Sequence, residues 1–73
     1  MMEYKIINYL FEIIKKYDVN LIEIEYNFNQ LKILYNWQEL ESFNLNPTKL
    51  NKFNSLLRSF KKFDDIWIWE YNL

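Results

Sequence analysis

A chain of 73 residues makes one folded unit, residues 1–73, able to bury only about 60% of the surface its unfolded form exposes. Hydrophobic residues are 51% of the chain and aromatics 21%, while nine Lys and Arg against ten Asp and Glu leave a net charge of −1. That balance argues against a generically basic nucleic-acid binder and against an acidic, disordered tail. The chain has no Cys, His or Gly. Disulfides, zinc fingers, thiol nucleophiles, His general bases, P-loops and dinucleotide-binding turns are thereby excluded. The longest apolar run is four residues, Ile66 to Trp69, so neither a membrane span nor a signal peptide is expected, and the expected location is the cytoplasm.

Ala is also missing, Pro and Arg occur once each, and Asn, Ile and Lys abound. Ala, Gly and Pro need GC-rich codons, whereas Asn, Lys and Ile are read from AT-rich ones. The bias therefore points to a very AT-rich genome, and it is unlike a designed sequence.

Residues 3–17 are predicted to form a helix. Ile6, Ile7, Leu10, Phe11, Ile13, Ile14 and Tyr17 recur at helical spacing, opposite Lys5, Asn8, Glu12, Lys15 and Lys16. Tyr9 falls outside the apolar stripe and is the one aromatic expected at the surface. Asp18 to Asn20 should end the helix, with Asn20 in the left-handed position usually given to Gly. Period two then takes over. Ile22, Ile24, Tyr26 and Phe28 alternate with Leu21, Glu23, Glu25 and Asn27, and residues 31–37 repeat the pattern. A hairpin turning at Asn29-Gln30 would pair 28 with 31, 26 with 33, 24 with 35 and 22 with 37, all apolar. A four-residue loop over 27–30 keeps the same faces.

Residues 38–46 read as a partly packed loop. Asn46-Pro47 then opens a second helix over 47–63, with Asn46 as N-cap. Leu50, Phe53, Leu56, Leu57, Phe60 and Phe63 form its apolar arc. Its far side carries Lys52, Arg58, Lys61 and Lys62, and residues 47–63 contain no carboxylate. Asp64-Asp65 break the helix, and residues 66–73 form a last strand. The expected fold class is α+β, in the order α-β-β-α-β, with both helices on one face of a three-stranded sheet. The crossover from the second strand through the second helix to the third should be right-handed, with the third strand either antiparallel beside the first or parallel beside the second, the former being favoured. This order equals a ferredoxin-like arrangement lacking its first strand, a likeness of topology alone.

Carboxylate pairs (Glu23 with Glu25, Glu39 with Glu41, Asp64 with Asp65) are the only groups that could do acid–base chemistry or hold Mg²⁺. Lys32 could oppose Glu25 or Asn27 across the hairpin, where a salt bridge is the simpler role, and a structural role is expected for the others. No catalytic residue, metal site or cofactor is expected, and the chain is read as non-enzymatic. Trp67, Trp69 and Tyr71 share one strand face and could stack unpaired bases. Because that face is apolar throughout, it is expected to point at the helices. Residues 18–41 hold Asp18, Glu23, Glu25, Glu39 and Glu41 against Lys32 alone, a local charge of −4. With the helices on the apolar side of the hairpin, Glu23, Glu25, Glu39 and Glu41 with Leu34 would form an acidic surface with apolar islands. Such a surface suits a basic groove on a protein that handles nucleic acid. An edge strand without Pro or Gly is also left open to homodimerisation or to strand addition.

In size, lack of catalytic groups and AT-rich composition the chain looks like phage-encoded inhibitors of bacterial defence, anti-CRISPR proteins among them. That resemblance implies a protein-binding module acting by surface occlusion, in the host cytoplasm. Two alternatives stand beside it. One is a nucleic-acid binder using Lys52, Arg58, Lys61 and Lys62, and the other an oligomeric assembly subunit.

Overall fold

The fold is a computed structural model that describes residues 2–71, Tyr71 through its backbone alone. It is α+β, with two helices and a four-stranded mixed sheet. The first helix, α1, spans Met2–Ile13 and buries Ile6, Ile7, Leu10 and Ile13. Tyr9, expected at the surface, instead packs partly against the core with its ring 6.3 Å from that of Phe43, and Tyr4 is the exposed aromatic of this helix. Tighter turns carry the chain on to Tyr17, whose N–H still reaches the Ile13 carbonyl at 2.9 Å. Asn20 does not take the left-handed conformation expected of it. Instead Asp18 caps a 3-10 turn, Val19–Leu21, and its Oδ1 accepts from the Asn20 N–H at 3.0 Å.

The hairpin pairs β1 (Ile22–Asn27) with β2 (Gln30–Tyr35). Its turn is Phe28-Asn29, one residue earlier than the two-residue turn expected at Asn29-Gln30, and its register is the one that a loop over 27–30 gives. Ile22 therefore meets Tyr35, Ile24 meets Ile33 and Tyr26 meets Leu31. Moving the turn by one residue changes the pairing by two, so every side chain keeps its face.

The larger departure is a strand in the predicted loop. β3, Gln38–Asn44, pairs antiparallel with β2 and gives the sheet order β3-β2-β1-β4, where β4 is Trp67–Tyr71. Its signal is broken because Leu40 and Phe43 are three residues apart, which no regular strand can place on one face. A bulge resolves this: Leu34 faces Glu39 while Ile33 faces Glu41, so Leu40 is the extra residue. Leu40 and Phe43 then both pack against the core.

The extra strand also reverses the chain once more. β4 does lie beside β1, but parallel to it, with Ile24 opposite Ile68, instead of antiparallel as expected. The crossover now starts from β3, at the other edge of the sheet. Residues 72–73 of the predicted last strand lie outside the described residues.

The second helix, α2, spans Pro47–Arg58, with Asn46 Oδ1 accepting from the Lys49 N–H at 2.9 Å. It stops five residues short of the predicted end. Phe60 is extended, and Lys61–Phe63 form a separate 3-10 turn. The break brings Phe60 and Phe63 onto Phe11 of α1, with ring centroids 5.5 and 4.9 Å away. Both helices pack on the same sheet face, and one cluster joins Ile6 and Leu10, Phe53 and Leu57, and the Ile side chains of the strands.

Burial pushes the Tyr26 hydroxyl well above the ordinary tyrosine range; Glu70 adds to the effect and Arg58 opposes it. Its nearest polar partner is Asn54 Oδ1, at 3.5 Å. In the unfolded chain Tyr26 ionises near pH 10, whereas in the fold it keeps its proton to higher pH. The stabilisation is therefore complete below about pH 10 and declines as pH rises beyond it, by at most about 1.4 kcal/mol per pH unit. Urea midpoints measured from pH 8 to 11 should fall at the alkaline end, and fall less steeply in Tyr26→Phe. An identical slope in that variant would assign the decline to other groups.

Both hairpin tips carry strained aromatics. Phe28 has φ of 57°, and Asn36 and Trp37 have φ of 49° and 70°. Positive φ at both central residues is the type I′ pattern, for which Asn suits the first position and Gly the second. A chain without Gly puts Trp37 there, 72% exposed. Holding a bulky residue in this region costs about 1–3 kcal/mol. Trp37→Gly is expected to stabilise the fold by about 1 kcal/mol, part of the relief being offset by the greater freedom of Gly when unfolded. Chemical denaturation measures this, and a loss of stability would mean that the indole packs.

Candidate functional site

The helices cover one face of the sheet and leave the other open. Alternation from the buried Ile22, Ile24 and Ile33 fixes which side chains occupy the open face. Glu23 lies between Leu34 of β2 and Trp67 of β4, and Glu25 lies between Lys32 and Trp69. Beyond β2, Glu39 borders Leu34 and Ser42 borders Lys32.

The expectation that the tryptophans face the helices is therefore reversed. Ile66 and Ile68 point inward, while Trp67 is 60% exposed and Trp69 is half-buried. Counting apolar positions on the last strand favoured the wrong face. A better signal was present: every Ile in the strands, from Ile22 to Ile68, faces the same core. The side chain of Tyr71, assigned to the same face, lies outside what is described.

Two contacts order this surface. The Trp69 indole Nε1 donates to Glu23 Oε2 at 3.0 Å, tying the aromatic strand to the acidic one. The Trp67 and Trp69 rings stand 5.7 Å apart at 52°, presenting a broad stepped apolar area. Lys32, opposite Glu25 in the register, places its Nζ 3.8 Å from Glu39 Oε1 instead. Among the described residues Glu25 has no ion-pair partner. The face thus combines three carboxylates, one ammonium and two indoles.

Of the residues singled out from the sequence, Glu23, Glu25, Leu34 and Glu39 come together here. Glu41 does not join them. Its register partner is Ile33, on the helix side, and its charge there adds to burial in raising the pKa of Tyr9. Trp67 and Trp69 are the additions that sequence reasoning assigned to the core.

The basic candidates lie on the opposite side of the molecule and on two elements. Lys52 and Arg58 belong to α2, Lys61 and Lys62 to the following turn. Lys52 lines a hollow of about 300 Å³ together with Lys49, Leu56, Met2 and the buried Glu3. Lys62 sits over the Phe11 ring, 5.4 Å from its centroid, a cation–π contact within the fold.

Among the described residues, no group of three acidic side chains could hold a metal ion, and no helix is long and apolar enough to cross a membrane. Compared with known proteins, the chain matches no family model, no curated protein and no solved structure.

Proposed function

We propose that this chain is a small, non-enzymatic protein-binding module that docks through its open sheet face onto a basic, partly apolar surface of another protein. The observation carrying this reading is Trp67, held 60% exposed beside Trp69 and Glu23 on a face that, among the described residues, no other element covers. Indoles left in water next to ordered carboxylates have the composition of an interface centre, where aromatic anchors supply most of the affinity. Glu23, Glu25 and Glu39 select for cationic partners and repel phosphates. A groove that normally holds nucleic acid has the matching chemistry, and a module seated in it acts by occlusion. This is the mode of the phage-encoded defence inhibitors that the composition resembles.

Direct nucleic-acid binding is less well supported. Stacking aromatics and phosphate-binding cations must line the same groove. Here the indoles are on the open sheet face and the cations Lys52, Arg58, Lys61 and Lys62 on the helix side.

The test is a tagged pull-down from lysate of a low-GC bacterium, with and without nuclease, comparing the wild type with the double variant Glu23→Lys, Glu25→Lys. A protein kept by the wild type after nuclease treatment and lost by the variant supports the proposal. Loss of the Trp69–Glu23 hydrogen bond, together with a second ammonium opposite Lys32, should cost the variant about 2 kcal/mol of stability, so it remains folded. Equal capture by both proteins, or capture that vanishes with nuclease, overturns the reading.

A further inference from the structure

The two edges of the sheet differ. β3 carries the devices that discourage strand addition: a bulge between the Ile33 and Leu34 pairings, and the exposed charges of Glu39 and Glu41. β4 carries none of them. Its residues are Trp-Ile-Trp-Glu-Tyr, paired to β1 without a register shift, with no Pro and a single charge at Glu70. As the outer strand of the sheet it turns one row of its backbone N–H and C=O groups outward, uncovered among the described residues.

We propose that this edge is filled by a second copy of the chain. The two β4 strands run antiparallel about a two-fold axis through Trp69, joining two four-stranded sheets into one. An axis at the middle residue pairs all five positions: Trp67 with Tyr71, Ile68 with Glu70, and Trp69 with its own copy. The strand is self-complementary in this register, because each Glu70 meets Ile68 and the two carboxylates never face each other. A two-fold axis perpendicular to the sheet keeps both open faces on one side, so the two Trp67–Trp69 pairs become neighbours across the new seam. A single five-residue strand is a small interface, and the dimer is accordingly expected to dissociate in the micromolar range.

The inference does not depend on the docking proposal and is tested on the purified chain alone. Sedimentation equilibrium should show the mass rising from 9.2 kDa towards twice that value as concentration increases. The protein has no natural Cys, so single cysteines report the seam directly. Residues facing each other across an antiparallel pair lie within the Cα separation that a disulfide spans. Trp69→Cys should cross-link with itself under mild oxidation, whereas Ser42→Cys on β3 should not. If Trp69→Cys fails to fold, an equimolar mixture of Ile68→Cys and Glu70→Cys should give the mixed disulfide. A mass fixed at that of one chain up to about 500 µM, or Ser42→Cys cross-linking as readily as the β4 variants, overturns the proposal.

Discussion

Phe53→Ala is expected to destabilise the protein by about 3–5 kcal/mol, the range for a large aromatic lost from a close-packed core. Phe53 has no exposed surface and projects from the middle of α2 onto β1, its ring centroid 6.4 Å from that of Tyr26 in an edge-to-face arrangement. Its deletion removes the largest of the three buried α2 side chains, Leu50, Phe53 and Leu57, and neighbours on two rigid elements cannot close the gap. In a domain whose total stability is about 5–10 kcal/mol, that loss leaves a large unfolded population near physiological temperature. Thermal and urea unfolding followed by far-UV circular dichroism measure it. A cost below about 1 kcal/mol would mean that α2 is not docked as described.

Trp67→Ala is expected to do the reverse: little to the fold and much to the interaction. With 60% of the residue in solvent, stability should fall by less than about 1 kcal/mol, far below the value for Phe53 and below that expected had the indole faced the helices. Affinity for the captured partner should fall by at least about 2 kcal/mol, roughly thirtyfold, as for an aromatic anchor at an interface centre. Calorimetric titration of wild type and variant against that partner separates the two effects. A stability loss of 3 kcal/mol or more would return Trp67 to the core. Unchanged affinity would remove it from the interface.

Much of the architecture was legible in the residues themselves. Period-2 alternation marked β1 and β2 and fixed their faces, helical spacing marked α1 and α2, and Asn46-Pro47 located the start of α2. These features are local, set by the backbone repeat and by caps that satisfy the first N–H groups of a helix. What escaped depended on pairing. β3 has no clean period because its bulge exists only against β2, and the direction of β4 followed from that one missed reversal.

The open face divides in the same way. Its acidic residues Glu23 and Glu25 follow from alternation within β1, and Leu34 from alternation within β2. Glu39 joins them, and Glu41 does not, because of the bulge. Trp67 and Trp69 are outward because β4 pairs Ile68 with Ile24, placing its Ile residues in the layer already set by β1 and β2. A strand with two apolar faces has no preferred side of its own. The sequence by itself determined which elements form and which side of the hairpin is apolar, since both depend on neighbouring residues. Only the tertiary structure decided which aromatics meet water, because that choice is made by partners 40 residues and more away along the chain, as when Trp69 bonds Glu23 across a separation of 46.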